Sequence, residues 1–290
     1  MLKGFLRHKS IQPLTPPSPT LRASNMTSQE QNDWQPELTD EQILAFEQKI
    51  KDEEAEKIPL VCQKESIDAL EKEFQDNKPF LEKVQKLKET NDELRKCRGD
   101  GNCFFRAFAF AWFESLMRNP HIFKAGVEKL KSTTELLLSG GFQELAFEDF
   151  YDVTLNQLEQ IPDSDPDLLL VNFQTEEISN SIVMHLRFVT SAYLKIHSAE
   201  YEPFLIVESI SIDQFCAQEV EAFGRESDHL QITALTKALD VPVEVLYLDG
   251  SSGDHVAVHE FWPDEASKGS RKALQLIYRP GHYDILYRKE

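Results

Sequence analysis

A run of apolar side chains from Cys103 to Phe113 limits what this chain can fold into more than any other segment. The run reads CFFRAFAFAWF, and a helix over it would be apolar on nearly every face. Such a helix is stable in the middle of a core. The run is about half the ~20 residues that a membrane span requires, and it contains Arg106. The sequence therefore predicts a globular domain built around this helix.

The first two thirds of the chain are patterned as helices. Residues 64–96 predict two helices with a break near Pro79. Asp228 fits an N-cap, with Gln231 at the third helical position, of a helix that runs to about Leu239. The clearest helical spacing, in steps of three and four, joins Ile178, Ile182, His185, Leu186, Val189, Tyr193 and Ile196.

The end of the chain changes to the pattern of β-strands. Runs rich in β-branched and aromatic residues cover 243–248, 256–261, 274–278 and 283–287, with Gly and Ser turns between them. Adjacent strands joined in this way are expected to be antiparallel. The order of elements predicts an α+β fold, in which a helical lobe packs on a small, mostly antiparallel C-terminal sheet.

Charge is spread unevenly along the chain. The 290 residues carry 31 basic and 50 acidic side chains, a net charge of −19, which argues against a general nucleic-acid binder. Residues 1–29 contain basic side chains but no acidic one, and several prolines. We expect residues 1–35 to form a disordered, basic, proline-rich tail. A transit peptide is the alternative, which the prolines oppose because it requires an amphipathic helix.

Residues 36–60 are expected to form an N-terminal helix with one narrow apolar stripe. Ile43, Phe46 and Ile50 fall on one face, and the other faces are polar. A stripe this thin suits contact with a partner. Docking of the helix on its own domain is the alternative.

Cys103 lies where a glycine-containing turn over 100–102 gives way to the apolar helix. Free backbone N–H groups and the helix dipole at such a position stabilise a thiolate. The same N–H groups can bind an oxyanion, and Gly101 permits close approach. An inert core cysteine is the alternative from residue types alone. The other cysteines, which lack this setting and form no metal or disulfide pattern, are Cys62, Cys97 and Cys216.

His282 is the histidine best placed to serve such a thiol as a base. It follows Pro280 and Gly281 at the start of the last predicted strand, and Asp284 comes two residues later. Residues i and i+2 of a strand share a face, so the aspartate can accept a hydrogen bond and fix the tautomer of the ring. A surface pair is the alternative. Together with Cys103, the pair predicts a Cys–His–Asp triad for nucleophilic catalysis.

Two motifs carry a resemblance to a known family. The sequence DGNCFFRAF at 100–108 resembles the cysteine motif of the ovarian-tumour (OTU) deubiquitinating proteases, and YRPGHYDILY at 278–287 resembles the histidine box of their otubain branch. The segments ESDHLQI at 226–232 and FEDF at 147–150 are also similar to otubains. The resemblance covers roughly residues 60–290 and implies a papain-like OTU catalytic domain over 61–290.

The resemblance also implies roles for individual residues. Cys103 would be the nucleophile, His282 the general base and then acid, and Asp284 the orienting residue. The Cys103 N–H and the backbone of Asp100, Gly101 and Asn102 would face the oxyanion, with Asp100 shaping the loop rather than joining the triad. No metal or organic cofactor would be needed.

The partners that the resemblance implies are ubiquitin and polyubiquitin, with a preference for 48-linked chains. Ile43, Phe46 and Ile50 of the N-terminal helix, together with His229, are the expected contacts with substrate or partner. Ubiquitin-conjugating enzymes are further partners that the family can block without catalysis. We expect a monomer in the cytoplasm or nucleus, with no membrane or nucleic-acid partner.

Two other functions stay open. The first is a non-catalytic binder of ubiquitin or of conjugating enzymes. The second is a structural α+β protein with accidental motif matches, which predicts a buried Cys103, a distant His282 and no ubiquitin binding.

Overall fold

The structure is a computed structural model that describes residues 57–117, 119–206, 209–251, 253 and 255–289. The expected tail over 1–35 and the apolar stripe of Ile43, Phe46 and Ile50 lie outside the described residues. No helix among those described is long and apolar enough to cross a membrane.

Helices fill most of the described chain between Cys103 and Leu239, as the spacing predicts. The last of them, His229–Leu239, begins with a capping box, because the side chains of Asp228 and Gln231 each accept a backbone N–H of the other residue. The helices are α1 (Asp68–Glu73), α2 (Lys78–Leu87), α3 (Cys103–Met117), α4 (Pro120–Lys131), α5 (Thr133–Ser139), α6 (Glu144–Glu159), α7 (Pro166–Gln174), α8 (Glu176–Ile196), α9 (Ser198–Leu205), α10 (Ile212–Phe215), followed by a π-helical turn over Cys216–Val220, and α11 (His229–Leu239).

A six-stranded sheet has the spatial order β1-β2-β6-β5-β3-β4. Every neighbouring pair is antiparallel except β3 and β5. The sheet is therefore mostly antiparallel, and the predicted α+β class is confirmed. The strands are β1 (Val61–Ser66), β2 (Asn91–Cys97), β3 (Val243–Tyr247), β4 (Ala257–Phe261), β5 (Leu274–Arg279) and β6 (His282–Arg288).

The prediction of helices alone over 64–96 is wrong at both ends. Two helices do form, but they lie between β1 and β2, so two strands of the sheet come from the first third of the chain. The sequence NDELRKC of β2 is mostly polar, yet β2 pairs on both sides. Its buried Asn91 donates to Gln275 Oε1 and to the Tyr287 carbonyl, both at 2.9 Å. Because the polar side chains are satisfied by distant residues, no local pattern marks the strand.

The expectation that sequential C-terminal strands pair antiparallel fails at β5. Strand β4 returns along one edge of β3, and β5 then occupies the opposite edge of β3. After two reversals of direction, β5 runs parallel to β3.

Helix α3 packs between the sheet and the helical lobe. It contacts β2, β5 and β6 on one side and α4, α7 and α8 on the other. The rings of Phe110 and Phe113 pack edge-on against Phe173 of α7, at 5.2 and 5.6 Å between centroids. On the sheet side, Phe104 packs against Tyr283 of β6 at 5.5 Å. The central position predicted for this helix is confirmed.

Truncation of one ring in α3 should destabilise the whole domain. Phe108 is fully buried, and we expect Phe108→Ala to lower the free energy of unfolding by about 3–5 kcal/mol, since it leaves a cavity in a close-packed core. Denaturation in urea measures this change. Phe204→Ala is the matched control, since Phe204 is 50% exposed and its loss should cost well under half as much. Equal costs for the two variants would contradict the central position of α3.

Candidate active site

Cys103 is the first residue of α3 and is 2% exposed. The carbonyl of Asn102 accepts the Arg106 N–H at 3.0 Å, so the first helical hydrogen bond closes around Cys103. The backbone N–H groups at the start of a helix have no partner within the helix. The sulfur is thus held at the positive end of the most buried helix of the domain.

The loop before Cys103 is fixed by its own side chains. Asp100 Oδ1 accepts the Asn102 N–H at 2.9 Å, and Asp100 Oδ2 accepts from Arg106 Nη2 at 2.6 Å. Gly101 has a φ of +74°, and a Cβ on it would lie 1.9 Å from the Gly224 carbonyl oxygen. Only glycine fits there, because both the backbone conformation and the neighbouring chain exclude a side chain.

Arg187 of α8 ties this loop to the chain that follows the π-helical turn, and sequence reasoning missed it. Its fully buried guanidinium donates to the Gly101 carbonyl at 3.0 Å and to Asn102 Oδ1 at 2.8 Å. It also donates to the carbonyls of Val220 and Arg225, at 2.9 and 2.6 Å. Burial lowers the pKa of Arg187 to about 10, which leaves it charged at neutral pH. The signal available in the sequence was a single arginine in α8, next to Leu186 of the apolar stripe.

His282 and Asp284 are in direct contact at the start of β6. Nε2 of His282 lies 2.7 Å from Oδ1 of Asp284. The Cys103 side chain lies within hydrogen-bond reach of the same ring. Asp284 is fully buried and accepts the Cys97 N–H at 2.8 Å. The guanidinium of Arg279 donates to its other oxygen. The structure therefore brings the three residues of the predicted triad together.

The electrostatics favour a charged histidine and a charged aspartate. Burial lowers the pKa of His282, but the hydrogen bonds with Asp284 and Cys103 outweigh burial and raise the pKa to about 10. Burial raises the pKa of Asp284, whereas the hydrogen bond with His282, the charge of Arg279 and the Cys97 N–H lower it overall. An imidazolium beside a thiol stabilises the thiolate, the form of cysteine that acts as a nucleophile.

A cleft of about 640 Å³ opens beside His282, and Gly99, Phe74 and Glu73 are among its lining residues. A larger groove of about 1070 Å³ lies at the far end of α3, against Trp112, and contains no triad residue. The smaller cleft is the one that reaches the predicted triad, through His282.

Of the predicted contacts with substrate or partner, the structure describes His229. His229 is exposed at the first position of α11, where its ring packs edge-on against His259 and Phe261, both at 5.1 Å. Within the part of the chain that the structure describes, no group of three or more His, Cys, Asp or Glu side chains could hold a metal ion.

The reading of the motifs as accidental predicts a buried Cys103 and a distant His282. Cys103 is indeed buried, but His282 is hydrogen-bonded to it. The expectation of a distant His282 is therefore wrong, and the motif matches are not accidental.

Gly101→Ala should damage both the loop and the site. Its Cβ would meet the Gly224 carbonyl, whereas Gly141, with a φ of +87°, has open space around it. We expect Gly141→Ala to cost roughly 1–2 kcal/mol for backbone strain alone, and Gly101→Ala to cost more and to displace the backbone N–H groups beside Cys103. Urea denaturation of both variants isolates the clash as the difference. Equal destabilisation would show that the loop moves away freely.

Known proteins match this chain over a region that includes the site residues. The family model described as Peptidase C65 Otubain matches residues 53–288. Ubiquitin thioesterase OTUB1 of Homo sapiens is 38% identical over 254 residues, which cover 86% of this chain and 90% of the human protein. The OVARIAN TUMOR DOMAIN-containing deubiquitinating enzyme 1 of Arabidopsis thaliana is 38% identical over 260 residues, 82% of this chain and 84% of that protein.

A solved complex of h/ceOTUB1 with ubiquitin aldehyde and UBC13~Ub is similar in structure, with a TM-score of 0.77 and 32% sequence identity. The match covers 87% of this chain and 99% of the solved chain. By its sequence match and its fold, the chain belongs to the peptidase C65 otubain family.

Proposed function

We propose that this otubain is a deubiquitinating cysteine protease that hydrolyses the isopeptide bond between the C-terminal glycine of ubiquitin and a lysine amine. The observation that carries the proposal is the contact of His282 with both Cys103 and Asp284. Its relatives in human and Arabidopsis are named as a ubiquitin thioesterase and a deubiquitinating enzyme. Membership of their family makes it a cysteine-type hydrolase.

Acylation begins with the thiolate of Cys103. It attacks the glycine carbonyl, and the carbonyl oxygen becomes an oxyanion facing the N–H groups at the start of α3 and the loop over 100–102. The imidazolium of His282 then donates its proton to the departing lysine amine. The products of this half-reaction are the free lysine and a thioester between Cys103 and ubiquitin.

Deacylation uses the same histidine in the opposite sense. Neutral His282 removes a proton from a water molecule, which attacks the thioester carbonyl. The second oxyanion collapses, the thiolate of Cys103 leaves, and the ubiquitin carboxylate is released. Asp284 holds the ring in one orientation through both steps.

The burial of Cys103 restricts what can reach the sulfur. Because only 2% of the residue is exposed, little space is left for side chains beside the carbonyl that it attacks. The C-terminal glycine of ubiquitin has no side chain, so it meets this requirement better than an internal peptide segment does.

Preference for 48-linked chains belongs to the same proposal. Discrimination among linkages requires a second ubiquitin site on the lysine side of the bond. The segment proposed for that contact is the one that contains Ile43, Phe46 and Ile50, over which the sequence predicts a helix. His229, exposed at the start of α11, is the contact proposed on the other ubiquitin.

A second function, the non-catalytic binding and inhibition of ubiquitin-conjugating enzymes, is favoured by the related complexes. The solved structures of h/ceOTUB1 contain UBC13~Ub in one case and UBCH5B~Ub in another. We propose that this chain also binds a conjugating enzyme charged with ubiquitin, through a surface that does not require Cys103.

Substitution of the nucleophile separates the two functions. We expect the wild type to cleave 48-linked di-ubiquitin in preference to other linkages, and Cys103→Ser to lose at least about a thousandfold in rate. Gel electrophoresis of di-ubiquitins of every linkage measures this. Cys216→Ser is the control, because Cys216 lies in the π-helical turn and not in the triad.

Each outcome of that assay assigns a function. Cleavage of many linkages keeps the protease and removes the linkage preference. Absence of cleavage by the wild type, with inhibition of a conjugating enzyme retained by Cys103→Ser, leaves the second function alone.

The pH dependence of kcat/KM should report the raised pKa of His282. Since the pKa of this group is raised to about 10, we expect activity to persist well above the ordinary histidine range and to fall as the pH approaches that value. Hydrolysis of a fluorogenic ubiquitin C-terminal amide, measured between pH 5 and 11, tests this, with circular dichroism to detect unfolding. Asp284→Asn should move the alkaline limb to lower pH. An alkaline limb near neutral pH in the wild type would contradict the ion pair.

A further inference from the structure

Asp284 is held by an arginine whose second partner lies outside the triad. The guanidinium of Arg279 donates from one nitrogen to Asp284 and from another to Glu73 of α1. Arg279 is the last residue of β5 and pairs in register with His282. The arginine therefore spans from a surface helix to the buried carboxylate that orients the catalytic ring.

The degree of exposure changes along this chain of charges. The side chain of Asp284 is fully buried, that of Arg279 is 13% exposed, and that of Glu73 is 34% exposed. Glu73 also accepts from Lys96 Nζ at 2.9 Å. A buried carboxylate requires a compensating charge, and the planar fork of arginine can hold two carboxylates at fixed angles. Lysine cannot make both contacts with that geometry.

We propose that Glu73 and Arg279 are positioning residues for the triad. Arg279 fixes the carboxylate of Asp284. Glu73 neutralises part of the positive charge of Arg279 and so sets how strongly that charge acts on Asp284. Both therefore act on His282 through Asp284 and touch no reacting atom. This inference rests on the proposed function only for its effect on turnover, since the positions of the charges do not depend on the substrate.

The two residues should act on His282 in opposite directions. Without Glu73, less of the positive charge of Arg279 is neutralised. That charge then offsets more of the negative charge of Asp284 at the ring, so the imidazolium of His282 becomes less stable. Without Arg279, the full negative charge of Asp284 acts on the ring, and the imidazolium becomes more stable. A purely structural role would predict losses of the same kind for both changes.

Other charged or titratable groups also face His282 and the carboxylate beneath it. Besides Asp284 and Arg279, they are Lys57 before β1, Cys62 in β1, Glu73 on α1, Lys96 and Cys97 on β2, and Cys103 on α3. Glu226, in the loop before α11, lies beside the neighbouring Gly281. All except the substituted residue stay unchanged within each comparison below.

The direct test is the titration of the His282 ring by 15N NMR in the full-length protein. We expect Glu73→Gln to lower its pKa by roughly 0.5 pH unit, in line with a charge acting at intermediate distance, and Arg279→Gln to raise it. Glu71→Gln is the matched control, because Glu71 lies on the same helix but pairs with Lys88. It should leave the titration unchanged.

Kinetics separate the charge of Arg279 from its geometry. Arg279→Lys keeps the charge, so the titration of His282 should change little, but it loses the fork, and we expect kcat to fall about 10- to 100-fold with KM unchanged. The substrate is a fluorogenic ubiquitin C-terminal amide.

Shifts of the same sign for Glu73→Gln and Arg279→Gln, or no shift with Glu73→Gln, would overturn the proposal. If Arg279→Gln does not fold, Glu73→Gln against Glu71→Gln decides it. If the wild type cleaves no ubiquitin while the titrations move as expected, the proposed function fails and the positioning pair stands.

Discussion

The most buried helix of the domain begins at Cys103, the proposed nucleophile, and the rest of the site depends on this placement. Burial of α3 on all sides prevents Cys103 from moving without opening the core. The same burial aims the free N–H groups of the first helical turn at one point beside the sulfur. Packing of the core therefore fixes the start of α3 and, with it, the position of the proposed nucleophile.

Two buried arginines complement the loop ahead of that helix. Arg106 donates to Asp100 and to Ser179 Oγ, both at 2.6 Å, and Arg187 donates to the Gly101 carbonyl and Asn102. Burying a guanidinium is costly unless it is paired, so each arginine requires the loop to keep its conformation. The two positive charges lie beside the loop over 100–102, where negative charge would develop in the proposed acyl transfer. The same hydrogen bonds thus serve the stability of the loop and the proposed catalysis.

Local signals in the sequence predicted the parts of the site that local structure creates. The apolar run from Cys103 predicts its own helix, and the spacing of His282 and Asp284 places them on one face of a strand. Arg187 escaped prediction because its partners, three backbone carbonyls and the Asn102 side chain, are brought near only by folding. Strand β2 escaped because its side chains are polar and because one of its two pairing partners, β6, lies at the far end of the chain.

The missed strand is the element that joins the two halves of the site. β2 ends at Cys97, just before the loop that leads to Cys103, and it pairs with β6 so that Arg95 lies opposite Ile285. In this register the Cys97 N–H reaches Asp284. A slip by one residue would turn the side chains of β6 to the opposite face of the sheet and separate Asp284 from both the N–H and Arg279. The register of one antiparallel pair therefore decides whether the nucleophile and its base meet.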